Sequence, residues 1–157
     1  NPEIKAQNIK LLVAGEYYTD SKPYNLMIEQ NDLSDYVVLH TDFIPDSAVG
    51  LYFSAADLVV QPYKTATQSG VTQIAYHFEV PMIITDVGGL AEFVPHEKVG
   101  YIVEPDPASI ADGILRFFNT ADRSHFLNHL KEEKKKYGWD FFLGKIFELK
   151  DIIDTKQ

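Results

Sequence analysis

The chain has 157 residues, the size of one ordinary domain, and with 45% hydrophobic and 24% charged residues its composition is globular. Fourteen Lys and Arg against 23 Asp and Glu give a formal net charge of -9, which disfavours nucleic acid and anionic lipid as general partners, so any bound phosphate needs a local device. No cysteine is present, which excludes disulfides, thiolate metal sites and cysteine nucleophiles and suits a reducing compartment, with the cytoplasm as the default.

In chain order, Ile9 to Ala14 is the first apolar run bounded by polar residues and predicts a buried strand. The loop Ala14-Gly15-Glu16-Tyr17-Tyr18 follows it, where a glycine directly after a strand permits a sharp turn or the close approach of a ligand. Val37-Val38-Leu39 predicts a second strand. Behind the start signal Pro45-Asp46-Ser47, the residues Val49, Leu51, Tyr52 and Ala55 share one helical face. Leu58-Val59-Val60 predicts a third strand. The loop from Pro62 to Val71 then carries small and hydroxylated residues into a helix through Ile74, Ala75 and Phe78.

Met82-Ile83-Ile84 and Tyr101-Ile102-Val103 complete the strands, separated by the turn Thr85-Asp86-Val87-Gly88-Gly89-Leu90-Ala91-Glu92. After Glu104-Pro105-Asp106-Pro107, Ile110, Ile114, Leu115 and Phe118 recur at helical intervals. From about residue 122 the tail reads as helical. Its Lys131 to Lys136 cluster is a solvated face, and Trp139, Phe142, Ile146 and Leu149 form an apolar stripe. Strands alternating with helices predict a single α/β domain over 1–157, a parallel sheet with helices on both faces.

Ligands of such sheets bind at the carboxyl ends of the strands. Backbone N–H groups of Ser69, Gly70 and Val71 at the opening of a helix favour a phosphate there, with Lys64 as a countercharge; a plain cap by Thr67 or Ser69 fits the same residues. Gly88 and Gly89 suit either backbone passing close to a ligand or a tight turn. There is no Gly-x-Gly-x-x-Gly, Walker-type Gly-Lys-Ser/Thr, Gly-x-Ser-x-Gly or His-Glu-x-x-His motif. His125 and His129, four apart, are read as surface residues rather than metal ligands, and no metal site is expected.

Taken together, three segments resemble the C-terminal domain of GT-B glycosyltransferases of group 1, also called family 4. They are Ala55-Ala56-Asp57-Leu58-Val59-Val60-Gln61-Pro62-Tyr63, Pro81 to Val94 with its Thr85-Asp86-Val87-Gly88-Gly89 core, and Gly100-Tyr101-Ile102-Val103-Glu104-Pro105. Leu11 to Glu16 and Val38 to Pro45 fall in the same order and spacing. The resemblance implies a Rossmann-like domain holding the nucleotide diphosphate of an activated sugar, opposite an N-terminal acceptor domain that this stretch does not contain. It implies diphosphate contacts at Lys64, Ser69, Gly70, Val71, Gly88 and Gly89, and base, ribose or sugar contacts at Gly15, Glu16, Phe43, Ile44, Gln68, Gln73 and Glu92. It further implies retaining transfer without a metal or cofactor, the nucleotide sugar being the donor substrate, and peripheral membrane contact in the full-length protein.

The family's pattern is departed from twice. Its paired glutamates fall on Ala66 and Ile74, leaving Gln68 and Gln73 as neutral substitutes. Its opening strand, ending in Gly-Arg with a following Lys, is not in this stretch, which is therefore read as a fragment. That strand lies between Leu11–Ala14 and Leu58–Val60 in the family, so those two segments are expected either to pair directly or to recruit a strand by self-association. The main alternative function is a non-catalytic nucleotide or sugar-phosphate binding module. A hydrolase or epimerase is a second enzymatic reading, and a receiver-like regulator is disfavoured because only Glu16 follows the first strand.

Overall fold

A computed structural model describes residues 1–120 and 122–154, which divide by their contacts into two compact units, residues 1–56 and residues from Asp57 onward. In the first unit, helix α1 (Pro2–Ala6) is started by Asn1, whose Oδ1 accepts from the Glu3 amide at 2.9 Å, with Pro2 at the position where a missing N–H costs nothing. Strand β1 (Leu11–Ala14), helix α2 (Lys22–Gln30), strand β2 (Val37–His40) and helix α3 (Asp46–Ala55) follow. β1 and β2 pair in parallel from Leu11 with Val37 to Ala14 with His40, and α2 is the crossover that parallel neighbours require. Lys10 ties the start of β1 to the approach to β2: its Nζ donates to the Asp35 carbonyl at 2.7 Å and lies 4.9 Å from the Tyr36 ring centroid.

The second unit contains β3 (Val59–Gln61), α4 (Gly70–His77), β4 (Met82–Thr85), β5 (Gly100–Val103), α5 (Pro107–Asn119), α6 (Ser124–Glu133) and α7 (Trp139–Asp154), with 3-10 turns at Leu90–Phe93 and Lys134–Tyr137. β3, β4 and β5 form a parallel sheet in that order. Ile83 packs with Tyr101, Phe117 and Phe126 in a core that takes in Leu58, Val60, Val103, Ile114 and Phe118. Met82 and Ile84, at the alternate positions of β4, are also fully buried, so this strand is covered on both faces. The α5 start follows its sequence. Asp106 Oδ1 accepts from the amides of Ala108 at 2.8 Å and Ser109 at 3.1 Å, and hydrogen bonding, the Ser109 side chain first, holds that carboxyl below its ordinary range.

All the predicted strands form, within a residue or two of their expected bounds. The strands fall into two sheets, β1–β2 in the first unit and β3–β4–β5 in the second. The lysine cluster is not wholly solvated: Lys135 and Lys136 pair with Glu132 and Glu133 on the surface, whereas Lys134 is half-buried against Glu79. The stripe on α7 is helical, but Trp139, Phe142, Ile146 and Leu149 are all exposed. No helix among the described residues is long and apolar enough to cross a membrane.

Gly100 opens β5 at φ +151, and a Cβ built on it would lie 1.7 Å from the Met82 carbonyl oxygen. Replacing it with Ala forces β4 and β5 apart at the start of their pairing. G100A is expected to destabilise the chain by about 3 kcal/mol or more, read as a fall in the urea midpoint with little change in slope.

Candidate functional site

The carboxyl ends of β3 and β4 carry the two loops that sequence reading marked. The first runs from Pro62 to Ser69 and opens α4. Ser69 is its N-cap, its Oγ accepting from the Val71 amide at 3.2 Å, so one of the amides expected to face a ligand is engaged by the cap. No acceptor for the Gly70 amide occurs among the described residues, and nothing lies within 4 Å of a Cβ built on Gly70. An exposed first-turn amide is thus unengaged at the positive end of the α4 dipole.

The second loop lies directly against the first. A Cβ on Gly88, where φ is +54, would sit 1.6 Å from the Ala66 carbonyl oxygen, and one on Gly89 would sit 2.7 Å from that of Thr67. The close approach these glycines permit is to the neighbouring loop of the protein itself. This brings Gly88 and Gly89 together with the segment that leads into Ser69 and Gly70.

A polar network fixes the first loop from below. Thr85, at the end of β4, donates from Oγ1 to the Tyr63 carbonyl at 2.6 Å, and Thr72, in the first turn of α4, donates to Gln61 Oε1 at 3.1 Å. The Tyr63 hydroxyl is 3.2 Å from Ser69 Oγ, which puts a phenol beside the start of α4. Tyr63 was not among the residues picked from the sequence. An aromatic following a Pro at the end of a buried strand is ambiguous until the loop folds back.

The remaining picks are distributed as follows. Lys64, Gln68 and Gln73 are exposed on the loop and α4, and Glu92 is exposed on the 3-10 turn Leu90–Phe93. Of the positions matching the family's carboxylates, Ala66 is half-buried beneath Gly88 and Ile74 is half-buried on α4. Gly15, Glu16, Phe43 and Ile44 belong to the first unit. There the Gly15 amide donates to the His40 carbonyl at 2.9 Å, which brings the ends of β1 and β2 together, and Phe43 is 70% exposed.

Among the described residues no group of three or more His, Asp or Glu is placed to hold a metal. The rings of His125 and His129 lie 4.4 Å apart, each with a nitrogen engaged by a backbone carbonyl. A shallow depression of about 430 Å³ at the end of β5 is lined by Val103, Glu104, Ala108, Ser109 and Asp112; its two carboxylates give it the wrong charge for a diphosphate.

A parallel sheet flanked by helices, with loops at its carboxyl ends that lead into helix starts, defines a Rossmann-like α/β fold. The chain matches the family model of glycosyl transferases group 1 over residues 2–120 and belongs to that family. Over 144 residues it is 28% identical to an uncharacterized glycosyltransferase of Methanocaldococcus jannaschii, covering 87% of this chain and 35% of that protein. It is 26% identical over 122 residues to human alpha-1,3/1,6-mannosyltransferase ALG2, covering 71% of this chain and 28% of that protein. The chain thus spans about a third of the length of these curated relatives. In fold it is similar to Anabaena Alr3699/HepE, solved in complex with UDP, at a TM-score of 0.73 and 18% identity, over 94% of this chain and 43% of that one.

The contact between the two loops predicts different outcomes at two glycines. G88A is expected to lower stability by about 2 kcal/mol or more, because both the clash with a backbone oxygen and the left-handed φ resist a side chain. G70A has open space and is expected to change the denaturation midpoint little. Equal losses for the two variants in parallel urea titrations would contradict this account of the Gly88–Gly89 turn.

Proposed function

We propose that this chain is the donor-binding half of a longer glycosyltransferase and holds the nucleoside diphosphate of an activated sugar. One observation carries the reading: the bare opening of α4 at the exposed Gly70, whose amide is unengaged and whose Cβ position is open, next to the Ser69 hydroxyl and the Tyr63 phenol. As the sugar–phosphate bond breaks, negative charge grows on the departing diphosphate, and a preoriented amide and helix dipole stabilise it without reorganising. In this reading the Gly88–Gly89 turn flanks the diphosphate and Lys64 supplies a countercharge. Gln68, Gln73 and Glu92 are taken as ribose or sugar contacts. The relatives support a transferase, and UDP in a protein of similar fold is consistent with a nucleotide sugar as donor. Retaining, metal-independent chemistry and an acceptor domain elsewhere in the longer protein complete the proposal and rest on the family resemblance.

The test uses G70V in the full-length protein that carries this chain. A branched side chain there fills the space at the helix start, and its Cβ meets nothing within 4 Å. Nucleotide-sugar turnover is expected to be abolished while the melting temperature barely moves. Surviving turnover would leave the α4 opening as a simple cap. For the stretch 1–157 alone, calorimetry with UDP, GDP and ADP is expected to show weak binding or none. A submicromolar dissociation constant would show that these loops suffice by themselves.

A further inference from the structure

The short turn that carries Glu92 has little holding it locally. The 3-10 segment Leu90–Phe93 has no side-chain cap, and the backbone bonds at its two ends, Leu90 N to Val87 O and Val94 N to Ala91 O, are each 3.4 Å long. What fixes it comes from outside. Leu90 and Val94 are buried, and the Tyr76 hydroxyl donates to the Phe93 carbonyl at 2.7 Å.

Tyr76 stands on α4, the helix that Gly70 opens, and is 1% exposed. Its ring lies 5.0 Å from that of Tyr137, which is also 6.5 Å from Phe93, so one aromatic cluster joins α4, the Glu92 turn and the Lys134–Tyr137 turn. Burial, and then the charges of Tyr137 and Glu133, hold the Tyr76 phenol well above its ordinary range. The neutral phenol, the form that donates, is thereby favoured.

We propose that Tyr76 is a positioning residue: by bonding the Phe93 carbonyl it fixes Glu92 relative to the start of α4, and so sets the orientation of the donor's ribose or sugar against its diphosphate. The other end of the same connection is the contact of Gly88 and Gly89 with the Ala66 and Thr67 carbonyls, so the turn is clamped to the α4 loop on one side and to the α4 body on the other. The inference rests on the donor-binding reading for its functional half and on geometry alone for its structural half.

The experiment is a cycle of Y76F, E92A and the double variant in the full-length protein, read by nucleotide-sugar kinetics and by amide hydrogen exchange without ligand. Tyr76→Phe keeps the ring and removes only the bonding oxygen. It is expected to raise KM for the nucleotide sugar about fivefold, to have no such effect in the E92A background, and to speed exchange selectively at residues 90–94. Unchanged exchange at 90–94, or an equal KM effect with and without Glu92, would overturn the proposal. Should the unaltered protein turn over no nucleotide sugar, the donor reading fails by itself, and the exchange data still decide whether Tyr76 holds the turn.

Discussion

Met82, Ile83, Ile84 and Thr85 are each no more than 1% exposed, and β4, which they form, lies between β3 and β5 in a parallel ladder. A strand covered on both faces and paired on both edges cannot leave the sheet without exposing its apolar side chains and unpaired backbone groups to water. Parallel pairing then delivers the carboxyl ends of β3 and β4 to the same edge of the sheet. The loops leaving those ends must share a small space, and they do so backbone to backbone. Gly88 and Gly89 are what make that packing feasible, because the carbonyls of Ala66 and Thr67 occupy the positions where their Cβ atoms would be.

The polar groups buried in this region are spent on the same alignment. Thr85 satisfies the Tyr63 carbonyl just past the end of β3, and the Gln61–Thr72 bond joins that strand to the first turn of α4. Gln61 Nε2 has no partner among the described residues. A neutral hydrogen bond contributes about 0.5–1.5 kcal/mol, whereas a buried unsatisfied donor costs about 1–3 kcal/mol. Stability alone therefore does not account for a glutamine in a strand otherwise built from Val59 and Val60. Its effect is geometric, tying the end of β3 to the helix that starts the proposed diphosphate position.

The sequence made the strands legible because each is a short β-branched or apolar run bounded by Gly, Pro, Asp or polar residues, a pattern set by burial rather than by weak propensity. Helix α2 was not legible. Pro23 sits in its first turn, Ser21 makes no side-chain cap bond, and Tyr24, Leu26 and Met27 are all exposed, so no buried face imposed a period on the residues. At the candidate site, Ser69, Gly70 and the Gly88–Gly89 pair could be read from position after a strand, but the reason for the paired glycines could not. A tight turn, a ligand and a neighbouring backbone all ask for the same residue, and only the fold shows the Ala66 and Thr67 carbonyls. Tyr63 and Tyr76 were hidden for a related reason. Tyr76 among apolar neighbours looks like core and its partner, the Phe93 carbonyl, lies in another loop, while Tyr63 meets Ser69 only once their shared loop folds back.

The charge pattern around α4 bears on how a chain with a formal net charge of -9 could receive a diphosphate. From Pro62 to Gln73 there is no Asp or Glu and one lysine, Lys64, so the stretch is locally cationic within an acidic protein. At the places where the wider family carries glutamates stand Ala66, wedged under Gly88, and Ile74, half-buried on the helix. A glutamate at 66 would add charge where the two loops meet. Gln68 and Gln73, exposed nearby, offer amide donors and acceptors without that charge. Removing two carboxylates from the vicinity of an anion lessens the repulsion a single lysine and one helix end must offset. In the proposed function, then, the neutral amides of Gln68 and Gln73 share sugar and ribose recognition with Glu92, and the attraction of the site for phosphate is left to the backbone and to Lys64.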